Sequence, residues 1–306
     1  MLAFRFASRP LLGTLVGLGL CALTLSQAYA RTLSTAYGDV EVTDQPERVV
    51  TLYEGALDTA LAAGVTPLAA VSTRGSDGVA SYLQDRVEDI AIVGTAREIN
   101  IEAVVAQRPD MILAAPRLPE DQYQLLSRIA PTLVPASEPY QPDTWKEEAR
   151  FFAQALGRES QIDEAISGIE RRAAELSDQH PRESASLVRW MPQGALVMSP
   201  MIFSSTLLTA SGFDVSDGGV VKQGRPHSDP LSLENLSRID NDWLFLATLN
   251  AEGEQALASA KSSPAFARLD VVKRDQVVPV DGQLWTSATG PLAAEAILDD
   301  IEKALR

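Results

Sequence analysis

Short apolar blocks alternate along the chain with stretches in which apolar residues recur at helical spacing. Arg48-Val-Val-Thr-Leu-Tyr53 reads as a strand. Gly55 to Ala63 reads as a helix stopped by Gly64, and Pro67 precedes a second strand, Leu68 to Ser72. The second half repeats the habit: Ala195 to Met198 is strand-like, Ser204 to Ser211 is a short helix, and Gly212 stops it. This alternation predicts an α/β fold with mainly parallel sheets.

An internal echo sharpens that expectation. Asn100-Ile-Glu102 opens a helix, and Pro109-Asp110-Met-Ile-Leu113 begins a strand. Ser232-Leu-Glu234 and Asn241-Asp242-Trp-Leu-Phe245 repeat the order, with Glu and Asp eight positions apart in both copies. Two lobes of like architecture follow. Between them lies the longest helical pattern. Thr144 and Glu147 have the spacing of a capping box. Trp145, Ala149, Phe152 and Leu156 keep helical spacing, and Ile162, Ile166, Ile169, Ala173 and Leu176 continue it, with Gly157 a place for a break and His180-Pro181 an end. The reading is a leader (1–30), an N-terminal α/β lobe (31–143), a stiff connecting helix (144–180) and a C-terminal α/β lobe (181–306).

The leader is a secretory signal. Arg5 and Arg9 give a positive start, Leu11 to Leu25 is almost wholly apolar, and Ala28-Tyr29-Ala30 is a small-x-small cleavage pattern. The apolar run is shorter than the roughly 20 residues of a membrane-spanning helix. Cleavage after Ala30 and a periplasmic location are expected. The only cysteine, Cys21, leaves with the leader, so the mature chain has no thiolate metal site.

The net charge of −15 becomes still more negative once the two leader arginines are removed. Nucleic acid is therefore not an expected partner, since phosphate binding needs clustered cations. There are only two histidines, His180 and His227, far apart in sequence, so neither a histidine-built metal site nor a resident cofactor is expected. His227-Ser228-Asp229 contains the residue types of a catalytic triad, but a triad is assembled by the fold and not by sequence neighbours. No nucleophile elbow, phosphate loop or dinucleotide fingerprint is present, and the chain is not expected to be an enzyme.

In open α/β sheets, ligands bind beyond the carboxyl ends of the strands. Tyr53, Arg74, Arg97 and Arg117 follow predicted strands of the first half; Trp190, Arg225 and Trp285 lie at strand ends or in loops of the second. Four arginines and three aromatics thus gather where two facing lobes would form a cleft. Guanidinium groups suit carboxylates and other oxyanions, and aromatics cover apolar ligand surface.

Several stretches together resemble the substrate-binding proteins of bacterial ABC importers for ferric siderophores and cobalamin. Pro46-Glu-Arg-Val-Val-Thr-Leu52 with Ala62-Ala-Gly-Val-Thr-Pro67 is similar to the family's opening. Val93-Gly94, Asn100-Ile-Glu102 and Arg108-Pro109-Asp110 resemble its most recognisable stretch, although the arginine after Val-Gly stands one place later than in the iron-binding members. Leu126-Ser-Arg-Ile-Ala-Pro131, and the ending from Gln276-Val-Val-Pro-Val-Asp281 through Trp285 to Ala294-Glu-Ala-Ile-Leu298, are similar to ferrichrome- and ferric-dicitrate-binding members. The resemblance implies two lobes joined by one long helix, the class III periplasmic-binding architecture. It implies a ferric siderophore held between the lobes, with iron present only inside that ligand. It also implies an inner-membrane ABC permease as partner, met by Glu102 and Glu234, and a monomeric receptor. Cobalamin or haem on the same scaffold is the alternative ligand, and an exported α/β hydrolase the alternative class.

Overall fold

The computed structural model describes residues 30–306; apart from Ala30, the expected leader lies outside the described residues. The first part of the chain runs β1 (Ala30–Thr35), β2 (Gly38–Thr43), β3 (Val49–Leu52), α1 (Glu54–Ala62), β4 (Ala69–Ser72), α2 (Ser81–Gln84), β5 (Ala91–Thr95), α3 (Ile101–Gln107), β6 (Met111–Ala114), α4 (Glu120–Leu126), β7 (Thr132–Leu133) and α5 (Thr144–Leu156). After α6 (Glu159–Gln179), the second part runs β8 (Ser184–Met191), β9 (Gly194–Val197), α7 (Phe203–Ala210), β10 (Asp214–Val215), a 3-10 helix (Leu233–Ile239), β11 (Trp243–Thr248), α8 (Ala251–Lys261), α9 (Pro264–Ala267), α10 (Asp270–Lys273), β12 (Val277–Asp281), α11 (Gly282–Thr286) and α12 (Pro291–Ala304). Among the described residues no helix is long and apolar enough to cross a membrane.

Two separate five-stranded sheets result. The first has the order β5-β4-β3-β6-β7 and is parallel throughout. The second has the order β10-β8-β11-β12, also parallel, with β9 antiparallel to β8. β1 and β2 form an antiparallel hairpin of their own. Strands covered on both faces read as nearly continuous apolar runs, and alternate side chains serve different cores. Val50, Leu52, Ile112 and Ala114 pack on one face of the first sheet, and Val49, Met111 and Leu113 on the other. In the second sheet, Leu187, Phe245 and Ala247 oppose Val188, Trp190, Leu244 and Leu246.

The internal echo is structural. Asp110 opens β6 and accepts the backbone N–H groups of Glu47 (2.8 Å) and Arg48 (2.9 Å), just before the neighbouring β3. Asp242 opens β11 and accepts the N–H (2.9 Å) and hydroxyl (2.6 Å) of Ser184, at the start of the neighbouring β8. Each carboxylate ties the start of one central strand to the next. The helices between differ. Asn100 caps α3, its side chain accepting the N–H of Ala103 at 3.0 Å. After Ser232 the chain forms a 3-10 helix, and the Ser232 side chain makes no capping bond.

The expected single connecting helix is two. Gly157 takes a left-handed conformation (φ 65°) and ends α5; a Cβ there would lie 2.9 Å from the Asp44 carbonyl oxygen. The chain turns back, and α6 packs along α5 with Lys146–Glu170 and Arg150–Asp163 pairs between them. Phe152, Ala155 and Leu156 of α5 join the core of the first sheet, while Trp145, Ala149 and Ala153 pack with α6 and the core of the second. The capping box is not formed either. Thr144 is already helical, and its hydroxyl donates to the Glu138 carbonyl at 2.6 Å.

A second tie joins the two halves. Asp58 of α1 is fully buried and accepts the N–H groups of Leu292 (2.9 Å) and Ala293 (2.8 Å) at the start of α12, together with the Tyr82 hydroxyl (3.0 Å). The first-turn N–H groups of a helix lack partners within it. Here a side chain from the other end of the sequence supplies the missing acceptor.

Candidate functional site: the interlobe cleft

Parallel order in the first sheet aligns the loops that leave its carboxyl edge. Arg97 follows β5, Arg74 follows β4, Tyr53 follows β3 and Arg117 follows β6, so the sheet order places them side by side along one edge. The three arginines are exposed, and none takes part in an ion pair among the described residues.

The second sheet contributes a cation of another kind. Arg189, near the carboxyl end of β8, is 3% exposed. One guanidinium nitrogen donates to the Thr286 hydroxyl at 3.3 Å, while Nε is buried without a partner. Burial, followed by the nearby positive charge of Arg74, lowers its pKa to about 10. Arg74 is lowered in turn, by burial and by Arg97. A buried cation without a counter-charge is costly, and the three guanidinium groups repel one another. Negative charge placed among them would offset both effects.

Toward β6 and β7 the cleft becomes a pocket of about 250 Å³, walled by Tyr53, Tyr140 and Trp145 on one side and Met201, Ile202 and Phe203 on the other. Trp145 and Phe203 meet edge to face, with ring centroids 5.6 Å apart. Glu148 is buried in this wall and accepts hydrogen bonds from Ser137 (2.6 Å) and Tyr53 (2.9 Å). Burial raises its pKa, against those bonds and the Arg117 charge. Two more acids lie beneath the edge. Burial raises both Glu54 and Asp58 to about 7. Glu54 accepts the Thr73 hydroxyl with one oxygen, and the other is buried without a partner.

This fold and edge agree with the sequence comparison: residues 49–284 match the periplasmic binding protein family. The chain belongs to that family. Periplasmic binding proteins bring substrates to transporters and are not enzymes. The chain is 28% identical to the probable siderophore-binding lipoprotein YfiY of Bacillus subtilis, over 91% of this chain and 88% of the relative. It is 28% identical to the achromobactin-binding periplasmic protein of Dickeya dadantii, over 84% and 86%. The structure of Staphylococcus aureus SirA complexed with staphyloferrin B superposes with a TM-score of 0.77 at 25% identity, covering 90% of this chain and 98% of SirA.

Against this periplasmic-binding frame, the expected site residues divide. Tyr53, Arg74, Arg97 and Arg117 share one edge. Arg225 is exposed on a separate loop and lies beside Asp229. Trp190 and Trp285 are not cleft residues. Successive side chains of a strand point to opposite faces, so Trp190 turns away from Arg189 into the core, edge-on to Phe266. Trp285 is 1% exposed, stacks on Phe245 at 5.1 Å and donates its Nε1–H to Asp300 at 2.8 Å. The residues that sequence reading missed are Arg189, Tyr140, Trp145, Glu148 and Phe203. Arg189 left a signal, an arginine inside the apolar block Leu187 to Met191; the others read as ordinary helix or loop positions. Nor do His227, Ser228 and Asp229 form a triad. The Ser228 hydroxyl accepts the Val197 N–H, His227 Nδ1 lies 2.8 Å from the Ser228 carbonyl, and Asp229 pairs with Lys222. Glu102 and Glu234 are exposed in the first turns of α3 and the 3-10 helix, each near an exposed apolar side chain, Val105 and Leu233.

Proposed function

We propose that this protein is a periplasmic receptor for an anionic ferric siderophore, which it carries between its lobes to an inner-membrane ABC permease. The observation that carries the reading is Arg189, a buried guanidinium with a free Nε, facing the positive charge of Arg74 and, beyond it, Arg97. An anion between the lobes would relieve both the desolvation and the repulsion. The printed names of the relatives point the same way, among them the Fe(3+) dicitrate-binding periplasmic protein FecB of Escherichia coli. Iron would arrive enclosed by the siderophore's own oxygens, so the protein recognises the outside of the complex and needs no resident cofactor. The leader at 1–30 would deliver the chain to the periplasm as a monomer. Glu102 and Glu234, on matched motifs of the two lobes, would meet cations of the permease.

Fluorescence of Trp145, which lines the cleft pocket, reports binding. Titration with ferric complexes of citrate-type, catecholate and neutral trishydroxamate siderophores should rank the anionic complexes above the neutral ones. Tighter binding of the neutral hydroxamate, or no binding by any complex, would overturn the reading. In the same receptor, replacing both Glu102 and Glu234 by Ala should leave these titrations unchanged and strongly reduce transport. Normal transport by the double variant would reduce the two glutamates to helix-start residues, which the helix dipole favours without any partner.

A further inference from the structure

We propose that the seam between the lobes is a proton-operated latch, closed while Glu54 of α1 carries a proton and loosened when it ionises against Asp58 and Asp281. The choice of ligand does not enter, so the latch stands apart from the receptor reading and adds control over it. The seam is built from polar ties. α2 of the first lobe lies against α11 of the second. The Ser81 hydroxyl donates to Asp281 Oδ2 at 3.2 Å, and the Ser81 N–H to Gln283 Oε1 at 3.4 Å. Deeper in, Asp58 accepts the N–H groups that start α12 and the Tyr82 hydroxyl of α2. Gly290 (φ 125°) makes that meeting possible, since a Cβ there would overlap the Asp58 carboxylate.

One carboxyl of the seam is left incomplete. Glu54 accepts the Thr73 hydroxyl with Oε2, while Oε1 is buried without a partner. A carboxylate there holds charge on an oxygen that neither water nor a donor reaches, which is costly, and the protonated form avoids that charge. The charges around it are mainly of one sign. Asp58 faces it from the next turn of α1 and Asp281 from the end of β12, and both act with burial to raise its pKa to about 7. Tyr53 at the start of α1 and Tyr82 of α2 are phenols, Glu148 of α5 faces Tyr53, and Asp300 of α12 adds negative charge beside Asp281. The cation acting on the group is Arg86 of α2, toward Asp58; Arg74, next to Thr73, is influenced by burial and Arg97. Ionised Glu54 therefore sets like charges on the two sides of a partly dry seam, where they repel. Ser81 and Asp281 at its outer side are exposed, so water has access. The proton is held in mildly acidic solution and lost as pH rises through about 7, so the lobes are held together below that value and eased apart above it.

Energy transfer between dyes on Ser127→Cys in the first lobe and Ser259→Cys in the second reads the separation of the lobes. Both positions are exposed, and the chain from Arg31 onward holds no other cysteine. In the ligand-free protein, transfer should fall as pH rises from about 6 to about 8, with its midpoint near 7. Far-ultraviolet circular dichroism should stay constant over the same range. Glu54→Gln, which keeps the shape of the side chain and cannot ionise, should abolish the fall. Asp281→Asn, which keeps the oxygen that caps α11, should shrink it, because the facing charge is gone. Equal transfer at both ends of the range would overturn the latch, and so would a fall that Glu54→Gln leaves intact. A fall that accompanies loss of helical signal is unfolding and overturns it as well. Should Glu54→Gln not fold, Asp281→Asn decides alone, and an undiminished fall in it sinks the proposal. No ligand is added, so neither result bears on the receptor reading.

Discussion

The two lobes share a scaffold but present charge in opposite ways. The first sheet offers Arg74, Arg97 and Arg117 on exposed loops, where water screens Arg97 and Arg117 while Arg74 is partly desolvated beside Arg97. The second offers Arg189 from within a strand, buried and without a counter-charge. The loop cations can attract and orient a ligand from solution. The buried one is costly while it lacks a counter-charge, which is what the proposed anionic ligand would supply. Among the acids, Asp58 of the first lobe is buried and Glu54 half-buried, whereas Glu102 and Glu234 lie on the surfaces of the first and second lobes.

The sharpest way to break this contrast is at Arg189. Arg189→Met should weaken binding of an anionic ferric complex by about 2–5 kcal/mol, the scale for truncating one partner of a buried charged contact. The same change should raise the melting temperature of the ligand-free protein, because it removes an uncompensated buried charge. Arg74→Ala and Arg117→Ala should each cost about 1–3 kcal/mol of binding, with losses that shrink as salt rises. Equal effects at all three positions would erase the distinction between buried and exposed cations.

The buried acids give the next largest effect, read through pH. The Glu54 carboxyl holds its proton more tightly when folded, at about 7 against 4.5. Its stabilisation is complete below the unfolded value and is lost as pH rises through about 7. Asp58 acts in the same direction and the same window. Stability should therefore fall between pH 5 and pH 8, by up to about 3 kcal/mol from Glu54. Glu54→Gln should flatten that part of the profile. The acids held below their usual range, Asp229, Asp242, Asp270 and Glu302, act in the opposite sense but only in more acidic solution. A melting temperature that climbs from pH 5 to pH 8 would contradict the raised pKa of Glu54.

The smallest effect tests the likeness of the lobes. Asp110→Ala and Asp242→Ala each remove two hydrogen bonds to the start of a neighbouring strand, and each should cost about 1–2 kcal/mol in urea denaturation. Costs that differ by more than about 1 kcal/mol would mean that the two ties are not equivalent parts of a repeated unit.

The repeat was legible because its chemistry is local. Asp110 and Asp242 open strands in both halves, and alternating apolar blocks suffice to specify parallel strands covered on both faces. The loop arginines and Tyr53 were legible too, since a residue that follows a parallel strand must emerge at the carboxyl edge. Helix continuity through Gly157 was not legible. A glycine inside a helical pattern permits a break; only the structure shows Gly157 taking the left-handed φ of 65° that ends α5, in a place where a side chain would meet the Asp44 carbonyl. The tryptophans misled because burial, not residue type, decides their use: one position along β8 exchanges Trp190 for Arg189.

By itself, the sequence determined the α/β order, the two-fold plan, the cations of the first sheet's edge and the family resemblance. These depend on spacing within a segment, or on motifs read in order. Only the tertiary structure decided that Arg189 is buried beside Arg74, that Asp58 receives the N–H groups of α12, and that Tyr140, Trp145 and Phe203 close one pocket. Each of these joins residues far apart along the chain, and no local periodicity encodes such a meeting. It follows from how two sheets and the helices between them pack.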